Sequence, residues 1–172
     1  MKIGIDFGRV IQGGPGAPSG QDTDFLGLPP LQAILCPHNE GALEIICDLA
    51  SYAHLSGGDV WIISKCGTLV QAKTLAWLFA NDFFKRTRIN PANIRFCEKR
   101  EDKAPIAAEL GLTHFIDDRV GVLLPMAGIV KHRILYGPQE HATPEGLVHC
   151  VNWNAISQII FTELSEALPR TP

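Results

Sequence analysis

Lys2-Ile3-Gly4-Ile5-Asp6-Phe7-Gly8 opens the chain with an apolar run that ends in a carboxylate, and Thr113-His114-Phe115-Ile116-Asp117-Asp118-Arg119 repeats the pattern much further on. Short, continuous, β-branched runs of this kind read as strands buried on both faces. Residues 59–64 form another, ending in Ser64, and residues 94–97 a shorter one. Residues 133–136 and 148–151 supply a fifth and a sixth. Helix-like segments fill the gaps. Asn39 is placed to cap a helix that turns Leu43, Ile46, Leu49, Ala50 and Ala53 inward, and Gly57-Gly58 stops it. A second helix, 68–80, carries Leu69, Ala72, Leu75, Ala76 and Phe79 on one face, and Asn90-Pro91 marks a turn after it. Asp102 is placed to cap a third helix, which Gly111 ends, and an amphipathic helix from Asn154 carries Ile156, Ile159, Ile160 and Leu164. Strands alternating with helices of this length predict βαβ units, hence a three-layer α/β/α, Rossmann-like parallel sheet.

Such sheets bind ligands at the carboxyl ends of their strands. Asp6, Ser64, Asp117 and Asp118 all fall at predicted strand ends of that kind. Phosphoryl chemistry calls for this inventory. A carboxylate nucleophile takes the phosphoryl group, splitting one hard displacement into two easier ones. Its charge repels a phosphate dianion, so a magnesium ion must bridge them, held by hard oxygen ligands. A hydroxyl and a lysine then hold the remaining phosphate oxygens. Asp6, Ser64, Lys103 and the pair Asp117-Asp118 supply these groups in chain order. Taken singly, each has a plainer reading. Asp6 suits a turn, Ser64 a loop hydroxyl and Lys103 a solvated helix start, with Lys99 and Arg100 as rivals for its role. The adjacent acids resist such a reading, because they need a cation or strong donors close by, although Arg119 alone would serve.

The four segments 3–8, 61–66, 102–112 and 114–119, in this order, resemble the motifs of the haloacid dehalogenase-like superfamily of phosphatases, phosphotransferases and dehalogenases. The resemblance implies a nucleophile at Asp6, a phosphate-binding hydroxyl at Ser64, a phosphate-steadying lysine at Lys103 and magnesium held by Asp117 and Asp118. It puts Asp118 in the inner sphere with Asp117 beside it, adds the Gly8 backbone carbonyl as a further ligand, and makes Asp6 itself both nucleophile and metal ligand. Residues 151–156 look like the closing strand and helix of that fold. The function implied is a magnesium-dependent phosphohydrolase or phosphotransferase working through an Asp6 aspartyl-phosphate.

One position departs from the pattern. Phosphatases of the superfamily usually place a general-acid aspartate two residues after the nucleophile, where this chain has Gly8. Losing a positioned acid costs about 10²–10⁴-fold in rate. Three outcomes stay open: a substrate with a good leaving group, a substitute such as Arg9 or a group from the 13–38 stretch, or a domain that binds a phosphorylated ligand or protein partner with little or no turnover. Residues 13–37 form a Gly/Pro-rich flap loop with no room for a large cap domain, so the site is expected to be open, or covered by that flap or by a second subunit of a homo-oligomer. An open site suits a phosphorylated small molecule or macromolecule.

Bulk properties set the frame. The 172 residues, 46% hydrophobic and 19% charged, fit one domain over residues 1–168 with a loose tail at 169–172. A net charge of −3 gives no reason to expect nucleic-acid binding. No apolar run approaches the roughly 20 residues that span a bilayer, and the first residues lack a signal-peptide pattern, so no membrane association and a cytoplasmic location are expected. The five cysteines, odd in number and scattered, read as buried free thiols. The run 85–88 reads as a solvated basic face, and Trp61, Trp77 and Trp153 as core anchors. The 3–8 segment also looks like the first phosphate loop of the actin, Hsp70 and sugar-kinase ATPases, but that architecture needs two domains and more chain. Gly13-Gly14-Pro15-Gly16 is no P-loop, since no Gly-Lys-Ser/Thr follows.

Overall fold

The computed structural model describes residues 1–13 and 24–167. Part of the expected flap, residues 14–23, and the expected tail lie outside them. Six strands form one all-parallel sheet: β1 (Lys2–Ile5), β2 (Asp59–Lys65), β3 (Ile94–Cys97), β4 (His114–Asp117), β5 (His132–Tyr136) and β6 (Val148–Cys150). The parallel sheet is the one expected; its spatial order is β3-β2-β1-β4-β5-β6, a doubly wound arrangement, and β6 joins the sheet through β5. The connection reverses direction across the β1/β4 boundary. That leaves a crevice between the carboxyl ends of these two strands.

Helices cover both faces, and each face has its own core. On one side Ile3, Ile5, Val60, Ile62 and Ile134 pack under α3 (Ala42–Leu55), α4 (Thr68–Ala80), α5 (Phe83–Thr87) and α8 (Trp153–Ala167). On the other, Ile63, Phe115 and Leu135 pack under α6 (Lys103–Leu110) and α7 (Val120–Leu123). Period-two alternation along β1 explains the division: Ile3 and Ile5 face one layer and Gly4 the other. Gly4 has to be small. A Cβ there would sit 2.6 Å from Leu112 Cδ1 and 2.8 Å from the Phe115 ring.

Several local expectations are corrected. The α4 face runs the other way: Leu69 and Phe79 are exposed, whereas Thr74, Trp77 and Leu78 are buried. That helix is apolar on most sides, so periodicity alone does not choose, and the bulky Trp77 does, its Nε1 donating to the Cys36 carbonyl at 2.8 Å. Asn39 caps nothing; Gly41, at φ +73°, occupies the cap position of α3. Asp102 does stand at the N-cap position of α6, but its carboxylate makes no capping bond there; it accepts from the Lys99 N–H at 3.0 Å and closes the preceding 3-10 turn (Arg100–Asp102). Within the basic run 85–88, Thr87 is buried and bonds the Phe83 carbonyl; it belongs to α5, a helix the sequence reading omits.

The described part of the expected loop, residues 24–37, contains two single-turn helices, α1 (Asp24–Gly27) and α2 (Pro30–Ala33). It is tied down. Phe25 and Ala33 are buried, Phe25 packs edge-on against Phe7, and Lys73 Nζ donates to the carbonyls of Leu26 and Leu28. All five cysteines are free thiols, and Cys66, Cys97 and Cys150 are buried. No helix among the described residues is long and apolar enough to cross a membrane.

Candidate active site

The sheet register assembles the site. Ile5 pairs with Ile116, so the next residues along each strand, Asp6 and Asp117, come side by side, and the Asp6 N–H donates to the Ile116 carbonyl at 2.9 Å. One oxygen each from Asp6, Asp117 and Asp118 lies within 4.8 Å of the others, and all three residues are buried. Three carboxylates gathered out of water repel one another, and buried acids persist only with compensating charge. Lys103 supplies it. Arriving on the first turn of α6, its ammonium donates to Asp6 Oδ1 at 2.6 Å and to Asp117 Oδ2 at 2.7 Å, with only 3% of the side chain exposed. Its rivals are not so placed: Lys99 and Arg100 are exposed, although Arg100 lines the rim.

The electrostatics follow from this packing. Burial pushes the Asp6 carboxyl up to about 6 from its ordinary 3.8, opposed by the charge of Lys103 and assisted by that of Asp117. Burial works to lower Lys103, but the charges of Asp117 and Asp6 prevail and hold its ammonium well above the ordinary lysine range. Asp117 also accepts from the Arg119 N–H at 2.9 Å. The guanidinium that meets the acidic pair belongs to Arg9, which forms an ion pair with Asp118.

Ser64, at the end of β2, is buried and lines the same crevice as the three acids, Gly8, Arg9 and Lys103. Its hydroxyl meets the Cys66 thiol, which burial raises above its ordinary value. The crevice is partly open to solvent and is lined further by Phe25, Leu26, Arg100, Arg119 and Val122. Gly8 faces open space: a Cβ built there meets nothing within 4 Å.

All the residues singled out from the sequence thus line one crevice. Others escaped it. Asn39 Nδ2 donates to the carbonyls of Arg9 and Val10, both at 2.8 Å, and Trp153 Nε1 to Val10 at 2.9 Å. They brace the turn after Asp6 from the segment before α3 and from the start of α8, a long-range role that no local pattern announces. Gln139 Nε2 similarly reaches the Asp118 carbonyl at 3.3 Å.

Solved structures share this architecture. A D,D-heptose 1,7-bisphosphate phosphatase from B. bronchiseptica, complexed with magnesium and phosphate, superposes with a TM-score of 0.62 at 16% identity, over 95% of this chain and 99% of that one. The chain has the haloacid dehalogenase-like fold. A haloacid dehalogenase-like family hydrolase from Xanthomonas campestris matches with a TM-score of 0.55 at 13% identity; 80% of this chain aligns, spanning 60% of that protein. No family model matches the sequence, and no curated protein is significantly similar to it. At such identities the likeness is one of fold, and fold alone does not fix an activity.

The acidic trio fits a hard divalent cation. Its donors are carboxylate oxygens from two adjacent strand ends, close enough to share one ion, and cationic side chains already lie against them.

Proposed function

We propose that the protein is a magnesium-dependent phosphohydrolase or phosphotransferase in which Asp6 accepts the phosphoryl group of a phosphorylated small molecule or macromolecule. One observation carries the reading: three buried acids converge within 4.8 Å at the carboxyl ends of β1 and β4, with a buried lysine bridging two of them. A structural ion pair needs one acid for one base. Even with Lys103 and Arg9 beside them, the three carboxylates leave one negative charge over, which favours a site built to receive a cation and an anionic substrate.

In this reading an Asp6 carboxylate oxygen attacks phosphorus as the bond to the leaving oxygen breaks, and water later releases phosphate from Asp6. Magnesium, when bound, would screen the phosphoryl charge from that of the nucleophile. Asp118, Asp117, Asp6 and the Gly8 carbonyl are the groups proposed to hold it. Lys103 keeps the Asp6 carboxylate oriented and has further N–H capacity for a phosphoryl oxygen, and the Ser64 hydroxyl offers another donor from β2. Gly8 cannot donate a proton to the leaving group, which favours substrates whose leaving oxygen needs none, such as acyl phosphates.

A screen of phosphate esters and acyl phosphates with magnesium, run beside Asp6→Asn, tests this. Turnover that needs magnesium and vanishes in Asp6→Asn is expected; turnover that survives the substitution refutes Asp6 as nucleophile. Gly8 favours a second reading, a domain that binds a phosphorylated ligand without turning it over. Magnesium-dependent binding of phosphate or vanadate without any hydrolysis would select it.

A further inference from the structure

Arg9 follows Gly8 and adopts φ +63°, a left-handed conformation that is unfavourable for a residue bearing a side chain. Its backbone is clamped in that state. The Arg9 N–H donates to the Gln12 carbonyl at 2.5 Å, its own carbonyl accepts from Asn39 at 2.8 Å, and the N–H groups of Ile11 and Gln12 both reach the Phe7 carbonyl at 3.0 Å. The consequence of the turn is that the guanidinium crosses from the β1 loop to Asp118, with 8% of the Arg9 side chain and 10% of that of Asp118 exposed. Asp118 is the member of the trio that Lys103 does not reach; Lys103 bridges the other two.

Resting on the metal site proposed above, we infer that Arg9 is a tethered competitor for the divalent cation. The guanidinium and a metal ion seek the same Asp118 carboxylate. Both carry positive charge in a dry crevice, where screening by solvent is weak. With Lys103 and Arg9 in place, three carboxylates face two cations, so the site offers an incoming ion little net negative charge. Metal entry therefore displaces Arg9 from Asp118. A phosphate dianion gives the displaced guanidinium a planar, bidentate partner in the same crevice, which Asp118 no longer has to supply. Metal and phosphate then bind with positive coupling, each weakly alone and more tightly together. Arg9 is a positioning residue in this scheme: it sets the order and cooperativity of loading.

The test is Mn2+ binding to the full-length protein, read by electron paramagnetic resonance, with and without inorganic phosphate. Arg9→Gln removes the competing charge. It is expected to bind Mn2+ alone about tenfold more tightly than wild type, and phosphate should then add little. Arg9→Lys retains the charge at the same position, guards against a folding artefact, and is expected to fall between the two. In wild type, phosphate should tighten Mn2+ binding at least severalfold. Equal or weaker Mn2+ affinity in Arg9→Gln overturns the competition while leaving the metal site standing. Absence of Mn2+ binding in wild type and both variants removes the site, and the inference with it.

Discussion

Lys103→Met isolates the electrostatic keystone of the site. The substitution keeps an unbranched apolar stem but deletes the ammonium lying 2.6 Å from Asp6 and 2.7 Å from Asp117. Two carboxylates whose oxygens are no more than 4.8 Å apart are then left facing each other. At an effective dielectric constant of about 20, that repulsion is about 3.5 kcal/mol. Breaking a buried ion pair by removing one partner typically costs about 3–5 kcal/mol, so two independent routes agree. The acids can escape part of the cost by binding a proton, and measuring at pH 8 limits that escape. Urea unfolding followed by circular dichroism, in chelator, should show a loss of about 3 kcal/mol. At roughly 2–4 °C for each kcal/mol in a chain of this size, Tm should fall by about 6–12 °C. Saturating magnesium should restore more stability to the variant than it adds to wild type. A loss below about 1 kcal/mol, the range of an exposed lysine, would refute the bridging role.

His114, buried on β4 at the opposite end of that strand from the acids, stacks on His132 with ring centroids 4.4 Å apart and has its pKa pushed down to about 3, first by burial and then by the charge of His132. Its folded form binds fewer protons than the unfolded chain between about 3 and the ordinary 6.5, so the stability it permits is full above pH 6.5 and is lost as pH falls. In urea titrations from pH 6.5 to 4.5, His114→Gln should lose stability less steeply than wild type, by up to about 1.4 kcal/mol per pH unit; identical slopes would contradict this. Gly8→Asp has open space for its side chain and requires no unusual φ. On phosphate esters with poor leaving groups it should raise turnover by about tenfold or more, as a supplied general acid does. A variant that still binds metal but gains nothing would show that more than the acid is missing.

The layered fold was legible because its strands are short β-branched runs, and a run with that composition has few alternatives between helices. The site was legible for a related reason: a parallel sheet delivers strand ends to one edge, so Asp6, Ser64 and Asp117 needed only to be recognised as strand-terminal. Lys103 was separable from Lys99 and Arg100 only in three dimensions, since the start of α6 decides which of them is buried. What stayed hidden depends on contacts distant in sequence. Asn39 looked like a cap because Asn favours caps, yet its amide is taken by the Arg9 and Val10 carbonyls. The buried face of α4 was misread because Trp77 and Thr74 turn inward in place of the more regular apolar row from Leu69 to Phe79. Arg9 stood out in the sequence only as a stand-in for the missing acid, because neither its left-handed turn nor its reach to Asp118 follows from local sequence.

A crystal structure of the protein soaked with magnesium and beryllofluoride tests the Asp6 assignment most directly. The account predicts beryllium bonded to an Asp6 carboxylate oxygen, one magnesium ion shared by Asp6 and the Asp117-Asp118 pair, and fluorines within hydrogen-bond reach of Ser64 and Lys103. Beryllofluoride bound elsewhere, or a metal that bypasses Asp6, would contradict it.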